Sequence, residues 1–225
     1  MKTIAIELNH VLRNINRQLL LYYQKDFDES LDIYKIDAKK ENVLKKYIKF
    51  DKKKDLKEFL KVDYPYELFG CGSAMEDNLF CETNNFMAAL KCLDFKDFNV
   101  IYFSRNEEGL TIQSTLFFLS KMGSRVRKVI FPENNEELFK ECSIIVSSDN
   151  NLLKEAKEKD IVGVHILTNG SKKNSNADYE YDSLKDMIHD KNFMPSLHNH
   201  YNEDKETNSI KYSISKIKDK WKKIM

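Results

Sequence analysis

Three short stretches hold the residue types that can do chemistry: Glu7-Leu8-Asn9-His10 with Arg13 close behind, Ser104 to Glu107, and Ser147-Ser148-Asp149-Asn150. Glu7 and Asp149 offer carboxylates, the oxygen ligands that a small hard cation such as Mg²⁺ takes. His10 offers an imidazole whose ordinary pKa lies near neutrality, so it can carry a proton. Ser104 offers a hydroxyl that can hold an anionic oxygen or simply end a strand. Asn9 is a carboxamide and can neither give up nor recover a proton near pH 7.

Each stretch follows an apolar run, and those runs are the elements that must position it. Thr3 to Leu8, Asn99 to Arg105, RKVIFP, SIIVSSD and VGVHIL read as strands. They alternate with helices: GLTIQSTLFFLSKMG, with Leu110, Phe117 and Phe118 among its apolar positions, ENNEELFKEC capped by Asn134 or Asn135, and NLLKEAKEK capped by Asp149 or Asn150. Continuous apolar strands alternating with helices predict a parallel sheet covered on both faces, a doubly wound α/β domain. Ligands of such sheets bind outside the carboxyl ends of the strands, where the three stretches fall. Between the first strand and Asn99 the texture is helical and charged, with RNINRQLLLYYQKDF, ENVLKKYIKF, KKDLKEFLKV and TNNFMAALKCLDF as helices.

The order of these strand ends resembles the haloacid dehalogenase-like (HAD) superfamily. Its first motif, an apolar strand followed by Asp-x-Asp-Gly-Thr/Val-Leu, stands here as Glu7-Leu8-Asn9-His10-Val11-Leu12. Ser104 matches the Ser or Thr that ends the second motif's strand, and Ile144 to Asp149 match the strand and acids of the fourth. ADYEYDSLKDMI is similar to the family's last strand and helix. The resemblance implies a HAD-like core over 1–12 and 91–192, with an inserted helical cap and return helix over 13–90. A C-terminal extension over 193–225 follows.

It also implies what each residue would do. In the family the first aspartate attacks phosphorus and ligates magnesium, and the second acts as general acid and base. Glu7 keeps a carboxylate on one more methylene, and a shift of order 1 Å can cost roughly a hundredfold in an aligned attack. Asn9 removes a proton carrier worth roughly 10² to 10⁴ in rate. His10 stands where the family has glycine and is the substitute acid of an active version. Glu7 and Asp149 remain as carboxylates for magnesium, Ser147 and Ser148 standing where a further acid might be, and Lys121 or Lys128 stands for the family lysine. With both aspartates replaced, the expectation is a catalytically degenerate scaffold with no catalytic residue, metal or cofactor. The alternative is a magnesium-dependent phosphatase of a small phosphoester, using Glu7, His10 and Ser104. Phage proteins include degenerate relatives of this type, which extends the resemblance to a virion component of tail or neck.

Composition narrows the partners. With 37 basic and 36 acidic residues and a net charge of +1, no field draws the whole chain to nucleic acid or an anionic membrane. No apolar run approaches the ~20 residues of a membrane span, and none opens the chain as a signal peptide. The expected location is the cytoplasm, or a virion. Cys71, Cys81, Cys92 and Cys142 lack a CxxC pair and read as free thiols. His198 and His200 read as solvated, and the lysine-rich run KKYIKFDKKKDLKEFLK as a solvated helix face. After an expected flexible stretch from Met194 to Asn208, Ile210, Ile214, Ile217, Trp221 and Ile224 recur at the spacing of a helix seam. That seam needs a cover: the chain's own cap, another protein or second copy, or an anionic membrane. Protein partners, met through the cap and this helix, are the expectation.

Overall fold

The computed structural model describes residues 2–38, 43–49, 63–92, 95, 97–167 and 176–201. Strands β1 (Lys2–Glu7), β2 (Phe98–Phe103), β3 (Val129–Ile130), β4 (Ile144–Ser147), β5 (Val162–Ile166) and β6 (Tyr179–Tyr181) form one sheet. Its order is β3-β2-β1-β4-β5-β6, and every neighbouring pair is parallel. The apolar runs explain this: Ile4, Ala5 and Ile6 of β1 and Ile144, Ile145 and Val146 of β4 are buried on both faces, as strands covered by crossover helices must be.

Between β1 and β2 lie α1 (Ile15–Asp26), a 3₁₀ turn (Ile33–Lys35), α2 (Val43–Tyr47), α3 (Pro65–Phe69) and α4 (Leu79–Cys92). Helix α5 (Leu110–Lys121) joins β2 to β3, α6 (Asn135–Glu141) joins β3 to β4, and α7 (Asn150–Glu158) joins β4 to β5. Helix α8 (Leu184–His189) follows β6. One face of the sheet packs Ala5, Ile101, Phe103 and Ile145 against Leu138, Leu152, Leu153 and Ala156 from α6 and α7. Toward the other, Phe80 of α4 meets Tyr102 and Phe118 edge to face, with centroids 6.5 and 5.6 Å apart. The β1–β2 segment has small cores of its own around α1: Ile15 and Leu19 with Leu68 and Phe69, and Leu20 with Ala38 and Val43.

The chain divides into two compact units, Met1–Met187 and Ile188–Met225. The first holds the sheet and the helices of the β1–β2 segment. In the second, the expected flexible stretch is helical over 193–201: Phe193, Met194 and Leu197 recur at one-turn spacing and are buried, so the polar residues between them are the outer face of a helix. His198 and His200 lie on that helix. The amphipathic seam of Ile210, Ile214, Ile217, Trp221 and Ile224 lies outside the described residues, as does KKDLKEFLKV over 53–62.

Several boundaries move. The helix expected from Thr83 begins at Leu79, and that expected in ENVLKKYIKF spans Val43–Tyr47. In α5 the buried face is Thr111, Ser114, Thr115, Phe118 and Leu119, whereas Leu110 and Phe117 face solvent at 61% and 45% exposure. Of the small polar residues, Thr115 meets Arg13 and Glu107 there, while Thr111 and Ser114 donate to the carbonyls of Glu108 and Leu110 in their own turn.

Candidate functional site

The strand order reverses at β1: β2 and β3 build outward on one side, β4 to β6 on the other. A crevice opens at the carboxyl ends of strands at such a switch point. It receives Glu7 from the last position of β1, Ser104 and Arg105 just beyond β2, and Ser147 and Asp149 at and beyond the end of β4. The sequence reading therefore identified the right strand ends.

The loop after β1 is pinned from below by Leu8, Val11 and Leu12, all buried, each worth roughly 1.5–3 kcal/mol of burial. Backbone bonds from Leu12 and Arg13 N–H to the Leu8 carbonyl (3.0 and 2.7 Å) and from His10 N–H to the Arg13 carbonyl (2.9 Å) close it tightly. The tightness places His10 at φ +67°, the left-handed region where a side chain is unfavourable. Burial lowers the His10 imidazole from its ordinary 6.5, against the pull of Glu7, with Arg13 and Arg105 adding to the lowering. A neutral imidazole at pH 7 has no proton to spare as an acid, which counts against the substitute role.

Arg13 is fully buried. All its donors are used: Nε to Asn9 Oδ1 (3.0 Å), Nη2 to Asn9 Oδ1 (2.6 Å) and Glu107 Oε1 (2.8 Å), and Nη1 to the Phe69 carbonyl (2.7 Å) and Thr115 Oγ1 (2.7 Å). A guanidinium has five N–H donors, so none is left over. Its plane lies against the rings of Phe69 and Phe118, 5.1 and 5.2 Å from the centroids. Glu107 also accepts from Ser104 Oγ and, at 2.5 Å, from Thr115 Oγ1. Asn9 Nδ2 in turn donates to Ser104 Oγ at 3.1 Å. Asn9 is thus locked by two donors on its oxygen and one acceptor on its nitrogen. Ser104 has spent its proton on Glu107 and is itself fully buried, so it presents no free hydroxyl to a ligand.

A second cluster lies beside the first. Arg105 Nη2 donates to Glu7 Oε1 at 3.0 Å and to Asp149 Oδ2 at 2.7 Å. The other Glu7 oxygen accepts from Ser147 Oγ, which accepts from the Asp149 N–H at 2.9 Å. The other Asp149 oxygen caps α7, accepting from Asn151 and Leu152 N–H at 2.9 and 3.4 Å. Burial works against the charged form of Asp149, but the hydrogen bond and field of Arg105, with the cap bonds, hold its carboxyl below the usual 3.8. Glu7 and Asp149 do face one cation, as a metal pair would, and that cation is the Arg105 guanidinium. Mg²⁺ needs carboxylate oxygens at about 2.0–2.1 Å, and the space between these two is taken by Nη2. The residues present do not fit the metal.

Lys128 pairs with Glu141 at 2.5 Å at the amino end of β3, and Lys121 ends α5; both lie at the sheet edge opposite the crevice, so neither serves as the family lysine. A cavity of about 310 Å³ lined by Met87, Leu90, Phe98, Arg125 and Arg127 also lies at that edge, by the start of β2. Cys71, Cys81 and Cys142 are free thiols, and burial pushes that of Cys142 up to about 12. No helix among the described residues is long and apolar enough to cross a membrane.

Sequence reasoning placed Arg13, Arg105 and Glu107 within the strand-end stretches but gave them no role, and it missed Thr115. The available signal was Arg13 one helical turn after Asn9, and the Ser-Arg-Asn-Glu run directly after an apolar strand.

No family model matches the sequence, and no curated protein does so significantly. Solved structures do match. A protein from Bacillus subtilis assigned as the HAD-hydrolase YfnB, solved with bound magnesium, is 11% identical with a TM-score of 0.53, the match covering 84% of this chain and 97% of that one. A hydrolase from Pseudomonas syringae is 12% identical with a TM-score of 0.51 over the same shares. With the parallel six-stranded sheet and its switch point, these likenesses establish that the chain has the HAD-like hydrolase fold.

Proposed function

We propose that this chain is a catalytically degenerate HAD-like protein serving as a scaffold that binds other proteins or copies of itself. The observation that carries the reading is the locking of Asn9 between Arg13 and Ser104. The place of the family's acid and base holds a group that cannot transfer a proton, with each of its polar atoms already bonded. In the crevice, Arg105 stands between the Glu7 and Asp149 carboxylates.

An exposed apolar surface supports the binding role. Leu110, Leu116 and Phe117 of α5 are 61%, 47% and 45% exposed, and the ring of Tyr66 (47%) lies tilted against that of Phe117, centroids 5.3 Å apart. The seam from Ile210 to Ile224 is the second candidate surface. Within this reading, the narrower role is a component of an assembly such as a virion. Sedimentation of the full chain tests it: we expect a species heavier than the monomer, and the joint substitution Ile217→Ser, Trp221→Ser to dissociate it. A wild-type monomer that also captures no partner would contradict the reading.

The second reading is a magnesium-dependent phosphatase with Glu7 as nucleophile and His10 as proton donor. The hydrolase fold and the carboxylate kept at Glu7 favour it. The lowered proton affinity of His10 and the engagement of Glu7 by Arg105 and Ser147 weigh against it.

A further inference from the structure

We propose that the guanidinium of Arg105 is the resident cation of the crevice, a covalently attached substitute for a divalent metal that binds Glu7 and Asp149 and excludes metal from the site. The geometry is that of a cation centre. A single atom, Nη2, lies 3.0 Å from one carboxylate and 2.7 Å from the other. Each carboxylate is held by its second oxygen to the protein frame, Glu7 by Ser147 and Asp149 by the first turn of α7. The oxygens turned toward Arg105 are therefore preorganised and not free to swing away. Coming from beyond β2, Arg105 ties together the ends of the three central strands β2, β1 and β4.

Arg105 is held by these carboxylates and not by its own loop. Its Nε is buried and makes no hydrogen bond among the described residues, so the side chain gives up a donor to reach the two acids. A guanidinium keeps its charge at any pH a protein experiences and presents its donors in a fixed fork. It therefore fills the role permanently, where a metal would come and go with its concentration. The consequence is a crevice whose integrity is independent of divalent ions.

The test uses the full chain and Mn²⁺, whose free fraction is read by electron paramagnetic resonance, together with thermal melts in Mn²⁺, Mg²⁺ or chelator. The wild-type chain is expected to bind no Mn²⁺ at millimolar concentration and to melt at one temperature in all conditions. Arg105→Gln is expected to melt lower, to gain Mn²⁺ affinity at least about tenfold over wild type, and to be restored toward the wild-type melt by the metal, as ligand linkage requires. Adding Glu7→Gln is expected to abolish that gain. Stoichiometric Mn²⁺ binding by wild type would overturn the proposal, as would a folded Arg105→Gln that gains none. If Arg105→Gln does not fold alone, refolding in Mn²⁺ decides: recovery supports the proposal and its absence overturns it. The proposal is separable from the scaffold reading, because metal-independent phosphate release by wild type would sink that reading and leave this one standing.

Discussion

At the residue scale the most committed group is Arg13, with five bonds and two ring contacts in a fully buried position. Its ion pair with Glu107 is dry on both sides. Removing one member of such a pair leaves an uncompensated buried charge and costs roughly 3–5 kcal/mol. Arg13→Met is therefore expected to destabilise by about that amount in urea unfolding, and the double variant Arg13→Met, Glu107→Leu to lose less than Arg13→Met alone. His10 gives the opposite sign. Glycine at φ +67° removes roughly 1–2 kcal/mol of left-handed strain and adds about 0.4–1 kcal/mol of unfolded-chain entropy, so His10→Gly is expected to stabilise by up to about 1 kcal/mol. Because folding lowers the His10 pKa below 6.5, its contribution is present above 6.5 and is lost as pH falls below it. The wild-type melting temperature should then fall more steeply from neutral pH to about pH 5 than that of His10→Gly. The sequence marked the stretches that hold Arg13 and Glu107 but not their pairing, because an arginine in a loop is ordinarily a surface residue and only the fold brings four acceptor atoms around it.

Elements were more legible than side chains. Apolar runs such as SIIVSSD announce a covered strand by composition alone, and Asn134 and Asp149 announced the helix starts they do cap. What failed was part of the inward face of α5, where Leu110 and Phe117 face solvent and Thr115 turns inward onto the buried Arg13–Glu107 pair. Asp149 works at this scale, capping α7 with one oxygen and bridging to β2 through Arg105 with the other. Asparagine caps a helix as well as aspartate does, so Asp149→Asn isolates the bridge. Folding holds the Asp149 pKa below 3.8, so the bridge stabilises above that pH and is lost as pH falls through the folded value. The gap in melting temperature between wild type and Asp149→Asn should be full at pH 7 and should close below about pH 3.8. A constant gap down to acid would place the loss in something other than the bridge.

At the scale of the whole molecule, a HAD-like fold carries a crevice in which Arg105 bridges Glu7 and Asp149. The parallel sheet and its strand ends agree with the HAD-like hydrolase fold and followed from alternating apolar runs and their right-handed connection, whereas the strand order came only with the structure. The state of the crevice did not follow. The resemblance marked Glu7 and Asn9 as standing where the family has aspartates, whereas the partners of Arg13 and Arg105, Asn9 apart, lie about 50 to 100 positions away and meet them only in three dimensions. Glu7 to Arg105 and Ser104 to Asn9 are such pairs, and no local pattern encodes them. On the scaffold reading proposed above, the chain performs no phosphoryl chemistry. Its most direct test is phosphate release by the purified chain from a panel of phosphomonoesters, with and without Mg²⁺, against Glu7→Gln as the control for contaminating activity. Equal, background release from both proteins in both conditions is expected; release by the wild type that Glu7→Gln abolishes would overturn the scaffold reading.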